Sequence, residues 1–238
     1  MDFENISGII FDLDGTLTDY ETGSETGLKL AFNRLIEASE TSIPYEIFQD
    51  AYKGVIDAES AWSSISGFTG SAKENRVRRF QLLLQGLGRQ QPGTVLMEMA
   101  EAYSQGRSSG TKLYADVIDT LAYLKNKYAL AILTEGDETT QMNQITHLGI
   151  EPYFSTIVIS DQTPWHKPSI TLFRFAAIKM ELEPENILMV GDRLDWDIRP
   201  AKEVGMKTIW LNRAGSRDNS PIEPDIVIQK LDELKKIL

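Results

Sequence analysis

Six short apolar segments, separated by longer stretches with a helical pattern, constrain the fold of this chain more than any other feature. Almost every residue in them is apolar, which is typical of strands buried on both faces of a sheet. The segments are residues 6–11, 129–133, 157–159, 187–190, 208–211 and 226–228. Between them, apolar residues recur at helical spacing, as in Val117, Leu121 and Leu124. This alternation of strand and helix predicts a parallel sheet.

A long insertion separates the first two predicted strands, far beyond the roughly two to six residues usual for loops in such units. Its apolar residues also follow a helical period, as Leu28, Phe32 and Leu35 do. The small polar segments at its ends, residues 18–23 and 106–110, are interpreted as hinges. We therefore predict a Rossmann-like α/β core with an inserted all-helical cap domain. The predicted division is residues 1–17 and 111–238 for the core and residues 18–110 for the cap.

Composition and charge exclude several classes of function. The 238-residue chain is 42% hydrophobic and lacks cysteine, so disulfides, thiolate metal sites and cysteine nucleophiles are excluded. No segment approaches the roughly 18 apolar residues of a membrane span, and no secretory signal is recognisable. We therefore expect a cytoplasmic protein without a membrane partner. The formal net charge of −11 disfavours binding to nucleic acid, so an anionic substrate must meet local positive charge.

Polar side chains follow the predicted strands at the edge where open parallel sheets bind ligands. Asp12 and Asp14 follow the first strand, Thr134 follows the second, and Asp192 follows the fourth. Carboxylates crowded at one edge repel one another unless a cation lies among them. A ligand set made only of oxygen favours a hard divalent ion such as Mg²⁺. Lys167, just before a proline, is the candidate cation of the chain itself.

Simpler interpretations exist for several of these residues when each is taken alone. An Asp-x-Asp-Gly segment also marks calcium loops and turns. Asp195 is better explained as a residue at a helix start than as a metal ligand. His147 and His166 receive no role. A basic cluster in the insertion is most simply a solvated helix face, with contact to a substrate anion or a subunit partner as the alternative. It consists of Arg76, Arg78 and Arg79.

The motifs in their order resemble those of the haloacid dehalogenase-like (HAD) superfamily. The segment 12–17, Asp-Leu-Asp-Gly-Thr-Leu, is similar to its first motif, and Thr134 in Leu-Thr-Glu-Gly is similar to its second. Lys167 in His-Lys-Pro and the segment 191–197 are similar to the third and fourth. The insertion lies where that superfamily has its helical cap. The resemblance implies a phosphatase that acts on sugar phosphates or nucleotides.

The resemblance also implies a mechanism. Asp12 attacks phosphorus and forms an aspartyl-phosphate. Asp14 protonates the leaving oxygen and then takes a proton from the attacking water. A dehalogenase expels halide, which needs no proton, so the presence of Asp14 indicates an oxygen leaving group. The rival activities are a phosphoryl-transfer mutase of the same fold and, at a greater distance, a non-catalytic binding module.

The remaining roles implied by the resemblance concern binding. Mg²⁺ is expected on Asp12, the Asp14 backbone carbonyl and Asp192, and phosphate on Thr134, the Glu135 backbone amide and Lys167. Asp197 is expected to orient Lys167 or a metal-bound water. Glu135 departs from the superfamily pattern, in which asparagine is common. Either the Glu135 side chain faces the phosphate, or only the Glu135 backbone amide binds it. The expected partner is a small phosphorylated metabolite. The expected oligomeric state is a monomer or a homodimer.

Overall fold

The structure is a computed structural model that describes residues 3–39, 42–66, 72–216 and 220–238, with side chains described outside residues 59–72. The strands are β1 (Gly8–Phe11), β2 (Thr18–Asp19), β3 (Lys112–Leu113), β4 (Ala129–Thr134), β5 (Thr156–Ile159), β6 (Ile187–Gly191), β7 (Lys207–Leu211) and β8 (Ile226–Ile228). The helices are α1 (Tyr20–Ala38), α2 (Tyr45–Ser66), α3 (Ala72–Gly86), α4 (Gly93–Gly110), α5 (Val117–Leu124), α6 (Glu138–His147), α7 (Ile170–Met180), α8 (Arg199–Glu203) and α9 (Leu234–Ile237). Two units result: Met1–Asp19 with Lys112–Leu238, and Tyr20–Thr111.

A parallel sheet of six strands in the order β5-β4-β1-β6-β7-β8 organises the first unit. Successive side chains of a strand point to opposite faces. In β1, Ile9 and Phe11 therefore join the apolar cluster on one face, and Ile10 joins the cluster on the other. All three side chains are fully buried, as the unbroken apolar run predicts. The α/β fold class predicted from the sequence is confirmed.

The strand order also determines which residues share an edge. Phe11 of β1 pairs with Ile132 of β4 on one side and with Val190 of β6 on the other. The segments that follow these three strands therefore leave the sheet next to one another. They carry the candidate residues, with Asp12 after β1 and Asp192 after β6.

The second unit consists of helices α1 to α4 around an apolar cluster of its own. The fully buried members with the largest side chains are Leu35, Phe48, Phe80, Leu83, Leu84 and Met99. Helices α1 and α4 approach closely because both carry glycine at the contact. A Cβ added at Gly106 would lie only 2.8 Å from the Cα of Gly27. No described helix is both long and apolar enough to cross a membrane.

The two segments interpreted as hinges are regular structure, and their role as hinges stays a prediction. Residues 106–110 form the last turn of α4, where Gly106 lies against Gly27 and Gly110 against Thr26 of α1. Residues 18–19 form β2, which pairs antiparallel with β3. Residues 20–23 begin α1.

The interpretation of the cap arginines as a solvated face is wrong for Arg76. Only 5% of this residue is exposed. Its Nη1 donates to the hydroxyl of Ser104, and its guanidinium lies 5.5 Å from the centre of the Tyr103 ring. Arg76 is therefore part of the interior of the helical unit.

Candidate active site

A buried ion cluster lies at the carboxyl ends of β1 and β6. Lys167 Nζ donates to Asp12 Oδ1 at 2.8 Å and to Asp197 Oδ1 at 2.7 Å. Lys167 is 4% exposed, Asp12 7% and Asp197 1%. Asp12 Oδ2 is also buried and accepts no hydrogen bond from the described residues. The ammonium therefore holds one oxygen of Asp12 and leaves the other one open to a further ligand.

Asp192 completes this cluster from the segment after β6. Carboxylate oxygens of Asp12, Asp192 and Asp197 all lie within 4.8 Å of one another. The first loop approaches Asp192 closely at Gly15, where the backbone φ is +91° and an added Cβ would lie 2.4 Å from Asp192 Oδ2. Only glycine fits both requirements. Trp210 Nε1 on β7 donates to the Asp192 carbonyl at 2.8 Å and supports that segment.

The charges of the cluster perturb one another strongly. Burial raises the pKa of Asp12 well above its ordinary value, and Asp197 and Asp192 add to this against the opposing effect of Lys167. Burial and the Asp197 carboxylate raise the pKa of Asp192 to about 7. Burial alone would lower the pKa of Lys167, but Asp12 and Asp197 outweigh it and raise that pKa. The three carboxylates of the cluster therefore outnumber its single ammonium, that of Lys167.

The cluster fits a divalent cation. Its candidate ligand atoms are carboxylate oxygens, which suit Mg²⁺ better than a softer metal. One buried oxygen, Asp12 Oδ2, has no partner among the described residues. An added cation would relieve the repulsion between the carboxylates. The side chains that could share such an ion are Asp12, Asp192 and Asp197, and the backbone carbonyl of Asp14, predicted from the sequence as a ligand, stays a prediction.

The side chain of Asp14 takes part in a different set of contacts. Gln141 Nε2 donates to Asp14 Oδ2 at 2.9 Å, and Gln144 Nε2 donates to Asp14 Oδ1 at 2.8 Å. Thr18 Oγ1 lies 3.3 Å from Asp14 Oδ1. Sequence analysis missed both glutamines. A signal was available in their spacing, since residues three apart share a face of a helix.

Thr134 and Asp14 are linked through one of these glutamines. Thr134 is 1% exposed at the end of β4, and its hydroxyl accepts a hydrogen bond from Gln141 Nε2 at 2.8 Å. The same nitrogen donates to the carbonyl of Glu135 at 2.6 Å. The end of β4 and the loop after β1 are therefore held by a common side chain.

The Glu135 side chain contacts the loop that carries Lys167. Its Oε1 accepts from the Lys167 backbone N at 2.5 Å, and its Oε2 accepts from Ser160 Oγ at 2.9 Å. His166 Nδ1 lies 3.3 Å from the same Oε2. Of the two alternatives left by the sequence, these contacts favour the one in which the side chain does not serve the phosphate. His166, which received no role, contacts this carboxylate.

A single π-helical turn, Leu194–Ile198, places Asp197. Such turns occur often at functional sites. Asp197 Oδ2 accepts from the Arg193 backbone N at 3.1 Å while Oδ1 faces Lys167. Asp195 lies on the same turn but is exposed, with its carboxylate 3.8 Å from Arg193. The turn thus directs Asp197 inward and Asp195 outward.

The fold and this arrangement of residues define a hydrolase of the haloacid dehalogenase-like class. The model of the haloacid dehalogenase-like hydrolase family matches residues 9–211. The chain therefore belongs to this family, and the family predicted from the four motifs is confirmed.

Relatives and solved structures agree with this assignment. The glyceraldehyde 3-phosphate phosphatase of Methanopyrus kandleri is 30% identical over 98% of this chain and 97% of its own length. The HAD-hydrolase YfnB from Bacillus subtilis, solved bound to magnesium, has a TM-score of 0.81 and 24% identity over 98% of each chain. A 2-haloacid dehalogenase from Pseudomonas syringae pv. Tomato has a TM-score of 0.74 and 22% identity over 98% of this chain and 97% of its own. These two structures share the fold.

Proposed function

We propose that this hydrolase is a magnesium-dependent phosphatase that cleaves a small phosphomonoester, a sugar phosphate or a nucleotide, through an aspartyl-phosphate at Asp12. The observation that carries the proposal is the buried cluster of Asp12, Asp192 and Asp197 around Lys167. The phosphatase activity of the Methanopyrus kandleri relative supports the reaction class. The magnesium of the Bacillus subtilis structure is consistent with the metal.

In the first step, a carboxylate oxygen of Asp12 forms a bond to phosphorus as the bond from phosphorus to the leaving oxygen breaks. Asp14 donates a proton to that leaving oxygen. In the second step, water attacks phosphorus, Asp14 accepts its proton, and the bond to Asp12 breaks. Inorganic phosphate leaves and the carboxylate of Asp12 is restored.

The other residues of the site stabilise charge and hold position. The ammonium of Lys167 offsets the negative charge that builds up on the phosphate oxygens when Asp12 attacks phosphorus. Thr134 Oγ and the backbone amide of Glu135 donate to those oxygens. When bound to Asp12, Asp192 and the Asp14 carbonyl, Mg²⁺ would supply further positive charge against the phosphate. Asp197 fixes the ammonium of Lys167 through the hydrogen bond at 2.7 Å.

An oxygen leaving group fits this site better than a halide does. Halide departs without a proton, so a dehalogenase has no use for a proton donor two residues after the nucleophile. Here Asp14 is partly buried and held by two glutamines. A held carboxyl beside the nucleophile supports phosphate ester cleavage.

The test is a hydrolysis assay with glyceraldehyde 3-phosphate, other sugar phosphates and nucleotides in the presence of Mg²⁺. We expect release of inorganic phosphate and its loss on chelation with EDTA. Isomerised sugar phosphate in place of free phosphate would indicate the mutase, and halide release from a 2-haloacid would indicate the dehalogenase. No turnover with Mg²⁺, Mn²⁺ or Co²⁺ would support the non-catalytic module and refute the proposal.

The Asp12→Asn variant is expected to lower turnover by at least about a thousandfold, because an amide is a poor nucleophile. Asp195→Asn is the matched control, since Asp195 is exposed and lies outside the cluster. It should retain wild-type turnover. Circular dichroism should show that both variants are folded. Full activity in folded Asp12→Asn would remove Asp12 from the role of nucleophile.

A further inference from the structure

Two glutamines of α6 are fully buried beside Asp14. Gln141 and Gln144 are each 0% exposed, which is unusual for this residue type. Each donates its amide nitrogen to a different oxygen of the same carboxylate, at 2.9 Å and 2.8 Å. Two donors on two oxygens fix the rotation of the carboxyl group as well as its place. No motif identified in the sequence includes these residues.

We propose that Gln141 and Gln144 are positioning residues that orient the Asp14 carboxyl toward the leaving oxygen of the substrate. The inference rests on the proposed phosphatase function and extends it to two residues of α6. Neither glutamine contacts the phosphate in this account. They act through Asp14, whose proton transfer depends on the direction of its carboxyl oxygens.

The packing of the two amides argues against a purely structural role. Gln141 Oε1 and Gln144 Oε1 are buried and have no hydrogen-bond partner among the described residues. A buried unpaired amide oxygen lowers stability, whereas methionine or leucine would fill similar space without that cost. Each glutamine therefore leaves one buried amide oxygen unpaired, and the contact with Asp14 is what an apolar side chain could not supply.

The two glutamines differ in how much else they hold. Gln141 Nε2 donates to Thr134 Oγ1 and to the Glu135 carbonyl as well as to Asp14, so two hydrogens are shared by three acceptors. Within the described part of the chain, the Gln144 amide nitrogen donates to Asp14 alone. Gln144 therefore provides the cleaner test, because its replacement leaves the contacts of Thr134 in place.

The test compares two aryl phosphates of similar shape that differ in leaving group. p-Nitrophenolate is a weak base and departs from phosphorus without a proton, whereas phenolate is a stronger base and benefits from one. The measured quantity is kcat/KM, which reports the steps up to cleavage of the ester bond. The ratio of kcat/KM for the two substrates does not depend on the fraction of folded enzyme.

For Gln144→Met we expect kcat/KM for phenyl phosphate to fall about 10- to 100-fold, because the general acid Asp14 is misplaced. For p-nitrophenyl phosphate, kcat/KM should fall less than about threefold, because its leaving group needs no proton. Gln141→Met should change the ratio in the same direction and also weaken both reactions through Thr134. Asn143→Met is the matched control, because Asn143 is exposed on the same helix between the two glutamines. Its ratio should equal that of the wild type.

An equal fall for both substrates in Gln144→Met and Gln141→Met would assign the glutamines a structural role and overturn the inference, while the phosphatase proposal would stand. A change of ratio in Asn143→Met as large as in Gln144→Met would also overturn it. A wild-type enzyme that releases phosphate from neither substrate would overturn the inference together with the proposed function.

Discussion

At the scale of single residues, the carboxylate of Glu135 holds together the loop around Lys167. It accepts hydrogen bonds from the Lys167 backbone and from Ser160, and it faces His166. The sequence showed that glutamate replaces the usual asparagine but not which way it points. The direction depends on Ser160 and His166, which lie far along the chain and meet Glu135 only in the folded sheet.

The Glu135→Gln variant is expected to lower the pKa of His166. The hydrogen bond with Glu135 raises this pKa above the ordinary 6.5. A raised value in the folded state means that the pair stabilises the fold fully below pH 6.5 and loses that effect as pH rises through the pKa of His166. NMR titration of the ring protons measures the change. Glu138→Gln is the control, because Glu138 is exposed on α6. An unchanged pKa of His166 in Glu135→Gln would contradict the assigned contact between the two side chains.

At the scale of elements, Asp116 ties together three segments of the core. It precedes α5 and accepts from Arg213 Nη1 and Nη2, after β7, at 3.1 and 3.0 Å. It also accepts from the backbone N of Leu231, before α9, at 2.7 Å. Partial burial alone raises the pKa of Asp116, but the hydrogen bonds from Arg213 and Leu231 outweigh it and lower that pKa.

Asp116→Asn is therefore expected to lower the free energy of unfolding by about 1–3 kcal/mol at pH 7, since an amide cannot accept all three hydrogen bonds. Because the folded pKa is lowered, the stabilisation is present above the ordinary value of 3.8 and is lost as pH falls through the lowered value. Urea unfolding at several pH values measures both effects. Asp119→Asn, exposed on α5, is the control. Equal stability of Asp116→Asn and wild type at pH 7 would contradict this account.

Elements differ in how well the sequence predicts them. The strands were predictable because parallel strands buried on both faces leave unbroken apolar runs, and their carboxyl ends share an edge. That logic grouped Asp12 with Asp192. It missed Gln141 despite the spacing signal, because a polar residue on a helix normally indicates the solvent face. It also did not reveal the helix contact at Gly106, because glycine in a tight helix contact looks the same in a sequence as glycine in a loop.

At the scale of the whole molecule, each of the two units has its own apolar interior. The cluster of the helical unit draws all its members from residues 28–103, and the two clusters of the core draw theirs from outside that range. The chain enters and leaves the helical unit beside the paired strands β2 and β3, where Asp19 pairs with Lys112. A short connection can therefore replace the insertion at little entropic cost.

A variant in which a short Gly-Ser linker replaces residues 20–111 is expected to fold as an α/β domain. Circular dichroism and thermal unfolding should show strand and helix signals and one cooperative transition. The full chain is the control. A variant that is unfolded at room temperature would show that the core depends on the helical unit.

The proposed reaction depends on Asp12 as the nucleophile, held at the sheet edge by Lys167 beside Asp192 and Asp197. The direct measurement is mass spectrometry of peptides from enzyme quenched in acid during turnover of p-nitrophenyl phosphate with Mg²⁺. We expect phosphate on the peptide that contains Asp12 in the wild type and on no peptide in Asp12→Asn. Sustained turnover with phosphate on another residue, or on no residue, would contradict it.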